Sequence, residues 1–415
     1  MEKNINIKRA NIESKLLFMW LSLDIVLTLV RYILNKFHIS DGFMRETLLF
    51  AVSTIPLIYF SLNLSQFKTR KWLSFVYLYF GVVASVLLSI IINPELYHYF
   101  TRANYGLSRV IFPDCAIFAF LFYYITDDPK KALDVTIKYA YIYFIFKVVV
   151  NLIPAIIRGY WIDIGPNGEE LFFRYNLSFG YAIAFPTMIF LFNFAKDKKL
   201  YDLVLFILGL FCVLTQGNRG SLLIILIFVF LYFLRIFKNS NKKIINICLL
   251  LLLLIIAYLY IDNILNFLLN LFNDLGYQSR NIEKLINGSF TSSNGRDFIW
   301  NEVVEAIKDI WPFGLGTFGD RPVVAPIHVA GYSHNIFLEL LLSYGIIGLL
   351  LSLIIILKII YMIFFCRDDD WYFLYIIMLS CSSQLLLSMS FWYVWQFWAT
   401  IAISLNYFQK QKLNK

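Results

Sequence analysis

The 415-residue chain is 60% hydrophobic and 15% charged, with a mean hydropathy of +0.69 and a net charge of +9. Soluble domains carry charge on about a quarter of their residues, so this composition excludes an ordinary soluble fold, and the positive charge points to membrane topology before nucleic acid. Several apolar runs are continuous and approach the ~20 residues that cross a bilayer as a helix, which excludes the alternating pattern of a membrane β-barrel.

The chain therefore reads as an all-α, polytopic integral membrane protein, a single domain over residues 1–415 with about twelve spans. They fall near 16–34, 46–64, 72–92, 107–125, 133–157, 172–194, 201–216, 219–236, 244–261, 334–360, 371–389 and 391–408. The first run leads directly into others, so it is expected to stay as a span and not to be removed as a leader. Basic residues in the short connections set the orientation. Lys68, Arg70 and Lys71, then Lys130 and Lys131, then Lys196, Lys198 and Lys199, and finally Lys410, Lys412 and Lys415 all fall on one side by alternation. That side is expected to be cytoplasmic and to hold both termini. The other side receives the long 262–333 loop, which is expected to be external or periplasmic and partly helical.

Several polar groups stand out along the spans. Asp24 and Arg31 share a helix face in the first. Arg109, Pro113 and Asp114 interrupt the fourth, Lys138 and Lys147 lie in the fifth, and Arg174 opens the sixth. Intramembrane charges need a partner or a polar cavity. Between the seventh and eighth spans, Gly217 and Gly220 permit a tight reversal and Asn218 is a natural helix cap. Arg219 then stands at a helix start, where backbone N–H groups already favour an anion and a guanidinium adds donors for phosphate oxygens. An interfacial anchor is the competing reading.

In the long loop, 296–308 fits a short helix whose apolar face is Phe298, Ile299, Trp300, Val303, Ala306 and Ile307, placed on or near the membrane surface. Arg296 opens it, a second arginine beside a helix start on the same side as Arg219. Gly314 to Gly319 matches G-x-G-x-x-G, but no strand precedes it and no βαβ unit surrounds it, so it reads as a backbone turn. His328 and His334 lack a third ligand at useful spacing, and the five cysteines show no paired motif, so neither metal nor cofactor is expected. His334 stands at the mouth of the tenth span with Ser333 as a candidate cap. Its ordinary pKa suits removal of a proton from a hydroxyl. Asn335 and Glu339 share a face of the new helix, and Glu339 needs a partner such as an arginine.

Taken together, Asn218-Arg219-Gly220-Ser221, Gly295-Arg296 followed by Trp300, Trp311-Pro312-Phe313-Gly314-Leu315-Gly316, and His334-Asn335-Ile336-Phe337-Leu338 followed by Gly345 and Gly348 resemble the O-antigen ligase/polymerase superfamily. The resemblance covers roughly 200–355, with Asn218 where many members have Ser. It implies a GT-C-like fold and a metal-independent inverting glycosyltransferase of the cytoplasmic (inner) membrane. Such an enzyme takes glycan from an undecaprenyl pyrophosphate carrier on the outer face, during synthesis of lipopolysaccharide O-antigen or capsule. It implies further that Arg219 and Arg296 bind pyrophosphate and that His334 takes part in catalysis or acceptor binding, with Arg174, Arg321, Asn335 and Glu339 as additional substrate-binding candidates. The implied partners are lipid-linked oligosaccharide donor and acceptor, the bilayer, a flippase and a chain-length regulator, with no nucleic acid. A polymerase, which adds glycan to the non-reducing end of a lipid-linked repeat, is the first expectation. A ligase to lipid A core and a lipid-linked oligosaccharide flippase are the alternatives.

Overall fold

The structure, a computed structural model, describes residues 2–37, 42–101, 106–164, 170–173, 175–216, 218–239, a few isolated positions between 263 and 287, 295–328 and 331–413. In chain order the principal elements are α1 (Glu2–Leu21), α2 (Leu23–Lys36), α3 (Gly42–Leu62), α4 (Thr69–Ile92), α5 (Phe118–Ile125) and α6 (Pro129–Lys147). They continue with β1 (Trp161–Ile164), β2 (Glu170–Phe173), α7 (Leu177–Asp197), α8 (Leu200–Thr215) and α9 (Arg219–Asn239). After residue 294 come α10 (Arg296–Ile310), α11 (Asp320–Val324), α12 (Ile336–Phe365), α13 (Asp369–Ser382) and α14 (Trp395–Leu413).

Six helices among the described residues are long and apolar enough to cross a membrane. They are α3, α4, the 30-residue run Pro129–Arg158 begun by α6, α7, α9 and α12, with α1 and α2 a seventh if that pair, bent by 45°, counts as one span. The expected span at 244–261 lies outside the described residues. Other expected spans are shorter or broken for local reasons. In 107–125, only Ser108–Ile111 and α5 are helical, because Pro113 follows an extended Phe112, as the residue before a proline prefers. The 371–389 run ends as α13 at Ser382 and passes through a 3₁₀ turn. The only sheet among the described residues runs from the expected outer loop 158–171 into the start of the expected sixth span, an antiparallel pair with Trp161 opposite Phe173 and Ile164 opposite Glu170.

The described chain divides into two compact units, 1–139 with 294–415, and 140–293. In the first, α5 is the centre: all eight of its side chains are buried, the pattern of a helix apolar all round. It packs on α14, α4 and α1. Trp20 of α1 stacks on Phe122 at 5.6 Å and donates its indole N–H to the Pro113 carbonyl at 3.1 Å. Beyond the end of α5, Asp127 receives Arg9 at 2.7 Å, Lys68 at 3.0 Å and Lys71. The second unit is built on α7, α8 and α9 packed against one another. Four cysteines, Cys115, Cys212, Cys366 and Cys381, are described and all four are free thiols.

Candidate active site

The first unit builds its polar centre from the 295–339 segment. Gly295 (φ +82°) takes the left-handed conformation that glycine reaches without penalty, and Arg296 starts α10 immediately after it. Ile299 and Val303 recur one turn apart and bury against Val324 of α11 and Leu342 of α12. Trp300, Ala306, Ile307 and Ile310 pack around them. The apolar stripe of this helix is thus taken up by protein, while Phe298, expected on the same face, is exposed.

The glycine-rich turn that follows is inserted into a break in α12. Gly345 has φ +54° and interrupts the helix, and its missing side chain leaves room for the backbone of Pro312 and Phe313. Carbonyls released by the break find donors in the turn: Leu315 N–H reaches Leu342 O at 2.9 Å and Gly316 N–H reaches Ser343 O at 2.8 Å, while Ile346 N–H returns to Pro312 O at 3.0 Å. An apolar environment demands such internal pairing. Ser89 of α4 accepts the Thr317 N–H at 2.8 Å, and the Thr317 hydroxyl bonds to Ser85 and Tyr344. The G-x-G-x-x-G stretch is therefore a wedge between α4 and α12.

Next comes a buried charge cluster. Arg321, 1% exposed, pairs with Asp320 and, at 3.0 Å, with Glu339, and donates to Ser390 Oγ at 3.1 Å. Ser390 in turn donates to Glu339. Burial opposes the guanidinium's charge, but Asp320 and Glu339 outweigh it and hold it protonated. The other Asp320 oxygen accepts the Ser333 N–H and hydroxyl, both at 2.9 Å. Breaking a buried pair of this kind typically costs about 3–5 kcal/mol. Arg321 and Glu339 thus face each other and lock the loop to the head of α12.

That lock positions His334. Ser333, a candidate cap by sequence, is fixed by Asp320 and by the Trp300 indole, which donates to its carbonyl at 3.1 Å. The cap is Asn335, whose Oδ1 accepts the N–H groups of Phe337 at 2.9 Å and Leu338 at 3.3 Å. Between them, His334 adopts φ +54°, a region in which histidine is enriched among non-glycine residues. Its ring lies 4.5 Å from that of Tyr332 and 5.3 Å from that of His328. Tyr332 is 6.0 Å from Tyr393, over which Arg109 is held at 4.9 Å. His334 is 8% exposed, and among the described residues neither of its ring nitrogens has a hydrogen-bond partner. Burial, then the positive charge of Arg296, then His328, push its pKa down to about 3. The imidazole is neutral at neutral pH, and its nitrogens are available to an incoming group.

In the second unit, Asn218 caps α9 by accepting the Gly220 N–H at 3.0 Å, and its amide donates to Leu177 O at 2.9 Å. Arg219 is the first residue of α9 and half-buried. Arg174 lies outside the described residues. The structure thus gathers Arg296, Arg321, His334, Asn335 and Glu339 along one segment of the first unit and places Arg219 at a capped helix start in the second. Sequence reasoning missed Asp320, Tyr332, Ser390 and Tyr393. Asp320, an acid beside Arg321, was the one with a local signal.

These positions coincide with a known family. Residues 203–353 match the O-antigen ligase family. The match supports the O-antigen ligase/polymerase superfamily, whose members are glycosyltransferase-like enzymes acting on lipid-linked sugars. It contains Arg219, Arg296, Arg321, His334, Asn335 and Glu339, and leaves out Arg174. With the apolar helices, it supports a multi-pass membrane protein. No curated protein and no solved structure matches the chain.

Proposed function

We propose that the protein is an O-antigen or capsular polysaccharide polymerase. In this reading it is a metal-independent inverting glycosyltransferase of GT-C-like architecture with about twelve spans, and it works on the outer face of the cytoplasmic membrane. The observation that carries the reading is His334: a buried, neutral imidazole with both nitrogens unpartnered among the described residues, held at a left-handed backbone position beside Arg296. A buried polar group without a partner costs about 1–3 kcal/mol, and a hydroxyl of the acceptor sugar supplies the missing partner.

In the proposed step, His334 takes the proton from the acceptor hydroxyl as its oxygen attacks C1 of the donor glycan. The bond from C1 to the carrier pyrophosphate breaks, and the electron pair leaves with the pyrophosphate. Arg296 stabilises that developing charge, as a preorganised donor does, and the sequence motif around Arg219 makes that residue a second proposed pyrophosphate ligand. The positive charge of Arg296 also depresses the basicity of His334. A pyrophosphate bound at Arg296 offsets that field, so donor binding raises the affinity of His334 for the proton it must accept.

The decisive experiment supplies the purified protein with undecaprenyl-pyrophosphate-linked repeat units alone. A ladder of lipid-linked products is expected. Transfer that starts only when lipid A core is added makes the protein a ligase, and movement of intact lipid-linked glycan across a vesicle membrane without transfer makes it a flippase.

A further inference from the structure

The end of the first unit that carries Asp127 and the last turns of α14 encloses a cavity of about 770 Å³. All of its lining residues belong to that unit. His334 precedes α12, whereas Lys358 lies about 22 residues into it, up to ~33 Å of helical rise away, so the cavity is separate from the candidate active site. Six cations line it, Lys68, Arg70, Lys71, Lys358, Lys410 and Lys412, and Asp127 is the one carboxylate among the lining residues.

The floor is already paired. Lys71 binds Asp127 and the Asn406 side-chain oxygen at 2.6 Å, and the Asn406 amide donates to Thr126 O at 2.6 Å and Tyr124 O at 3.2 Å. Lys68 and Arg9 also share Asp127. The walls are different. Among the described residues, Arg70, Lys358, Lys410 and Lys412 have no carboxylate within ion-pair distance. Lys358 is half-buried on the membrane-spanning α12 with its ammonium 4.7 Å over the Phe408 ring, and Lys410 lies 5.9 Å over that of Trp371. A cation on such a helix needs a counter-charge, and lysine ammoniums serve phosphate as point charges. Leu405, Phe408 and Tyr124 add apolar wall beside the cations.

We propose that this cavity binds a phosphate group, carried by the headgroup of an anionic phospholipid or free in solution. The rigid Lys71–Asp127–Asn406 floor holds the shape, and the four remaining cations supply the charge. Arg70 offers a two-pronged donor and the three lysines close around the remaining oxygens. The apolar wall then meets the glycerol and upper acyl chain of a lipid.

The test is native mass spectrometry of the full-length protein in neutral detergent, titrated with phosphatidylglycerol, phosphatidylcholine or inorganic phosphate. Wild type is expected to retain phosphatidylglycerol at least about fivefold over phosphatidylcholine, in line with basic-cluster recognition of anionic lipid. The triple variant Lys358→Gln, Lys410→Gln, Lys412→Gln is expected to lose that preference, and Lys358→Arg to keep it. The double variant Lys410→Gln, Lys412→Gln, which leaves the half-buried position intact, guards against misfolding of the triple and is expected to show a partial loss. Displacement of phosphatidylglycerol by millimolar inorganic phosphate identifies a soluble phosphate as a competent ligand, and resistance to it identifies the lipid. His334→Asn is expected to bind as wild type does. Equal retention of both lipids by wild type with no phosphate binding, or an unchanged preference in a folded triple variant, overturns the proposal.

Discussion

His334 combines three demands that rarely coincide in one residue: a left-handed backbone angle, burial, and ring nitrogens with no partner among the described residues. Asparagine tolerates the same backbone region but cannot take up a proton, so His334→Asn separates conformation from chemistry. It is expected to accumulate in membranes as wild type does and to lose about 10²–10⁴-fold in transfer rate, the usual contribution of a general base. Retained activity would reduce His334 to a backbone role. The pH dependence of stability has a definite sign. The folded-state pKa of about 3 lies below the ordinary histidine value of 6.5, so the unfolded chain binds the proton more readily. Stability is complete above about pH 6.5 and declines as the pH falls towards about 3. Thermal unfolding across that window is expected to show a shallower decline in His334→Asn.

At the scale of elements, the wedge in α12 governs everything downstream. Gly345→Ala forces a Cβ into the backbone of Pro312 and Phe313 at a positive φ, where strain costs about 1–3 kcal/mol before any clash. A fall in melting temperature and in yield is expected, whereas Gly81→Ala, with open space around it in α4, is expected to behave as wild type. An unchanged melting temperature in Gly345→Ala would show that the break is not required. This wedge also marks how far the sequence could be read. The Asn218 cap was legible because capping is settled by neighbouring residues. The need of Glu339 for a partner was legible because a carboxylate one turn into an apolar helix cannot stand alone. That an arginine would serve was legible too, and Arg321 does, but Ser390 was not, since it lies 51 positions away and reaches Glu339 only through the fold. The approach of His328 to His334 was likewise hidden, because a spacing of six residues outside a helix does not fix a distance.

For the whole molecule, composition and run length announced a helical membrane protein, and the described residues contain six or seven helices long and apolar enough to span a bilayer. Run length alone overstates continuity. An apolar run such as 107–125 crosses a proline and divides, and α5 survives as eight residues only because neighbours surround it on every side. The two arginines singled out by sequence belong to different units, Arg219 to one and Arg296 to the other. Arg219→Ala and Arg296→Ala are each expected to lower turnover about 10²–10³-fold, as loss of a charge-stabilising donor does, with the protein still inserted in the membrane. Wild-type turnover in either variant removes that arginine from the mechanism.

The bonds from Leu315 and Gly316 to the carbonyls of α12 have a practical consequence for engineering. Chimeras that graft the long loop from a relative are a natural design for such a protein. Here the graft cannot stop at the loop's edge, because residues 311–317 complete the backbone of a spanning helix. A transplant is expected to fold only if 311–317 and 340–348 are taken from the same parent. Those two stretches, distant in the reading frame of a loop-and-span diagram, constitute one heritable part.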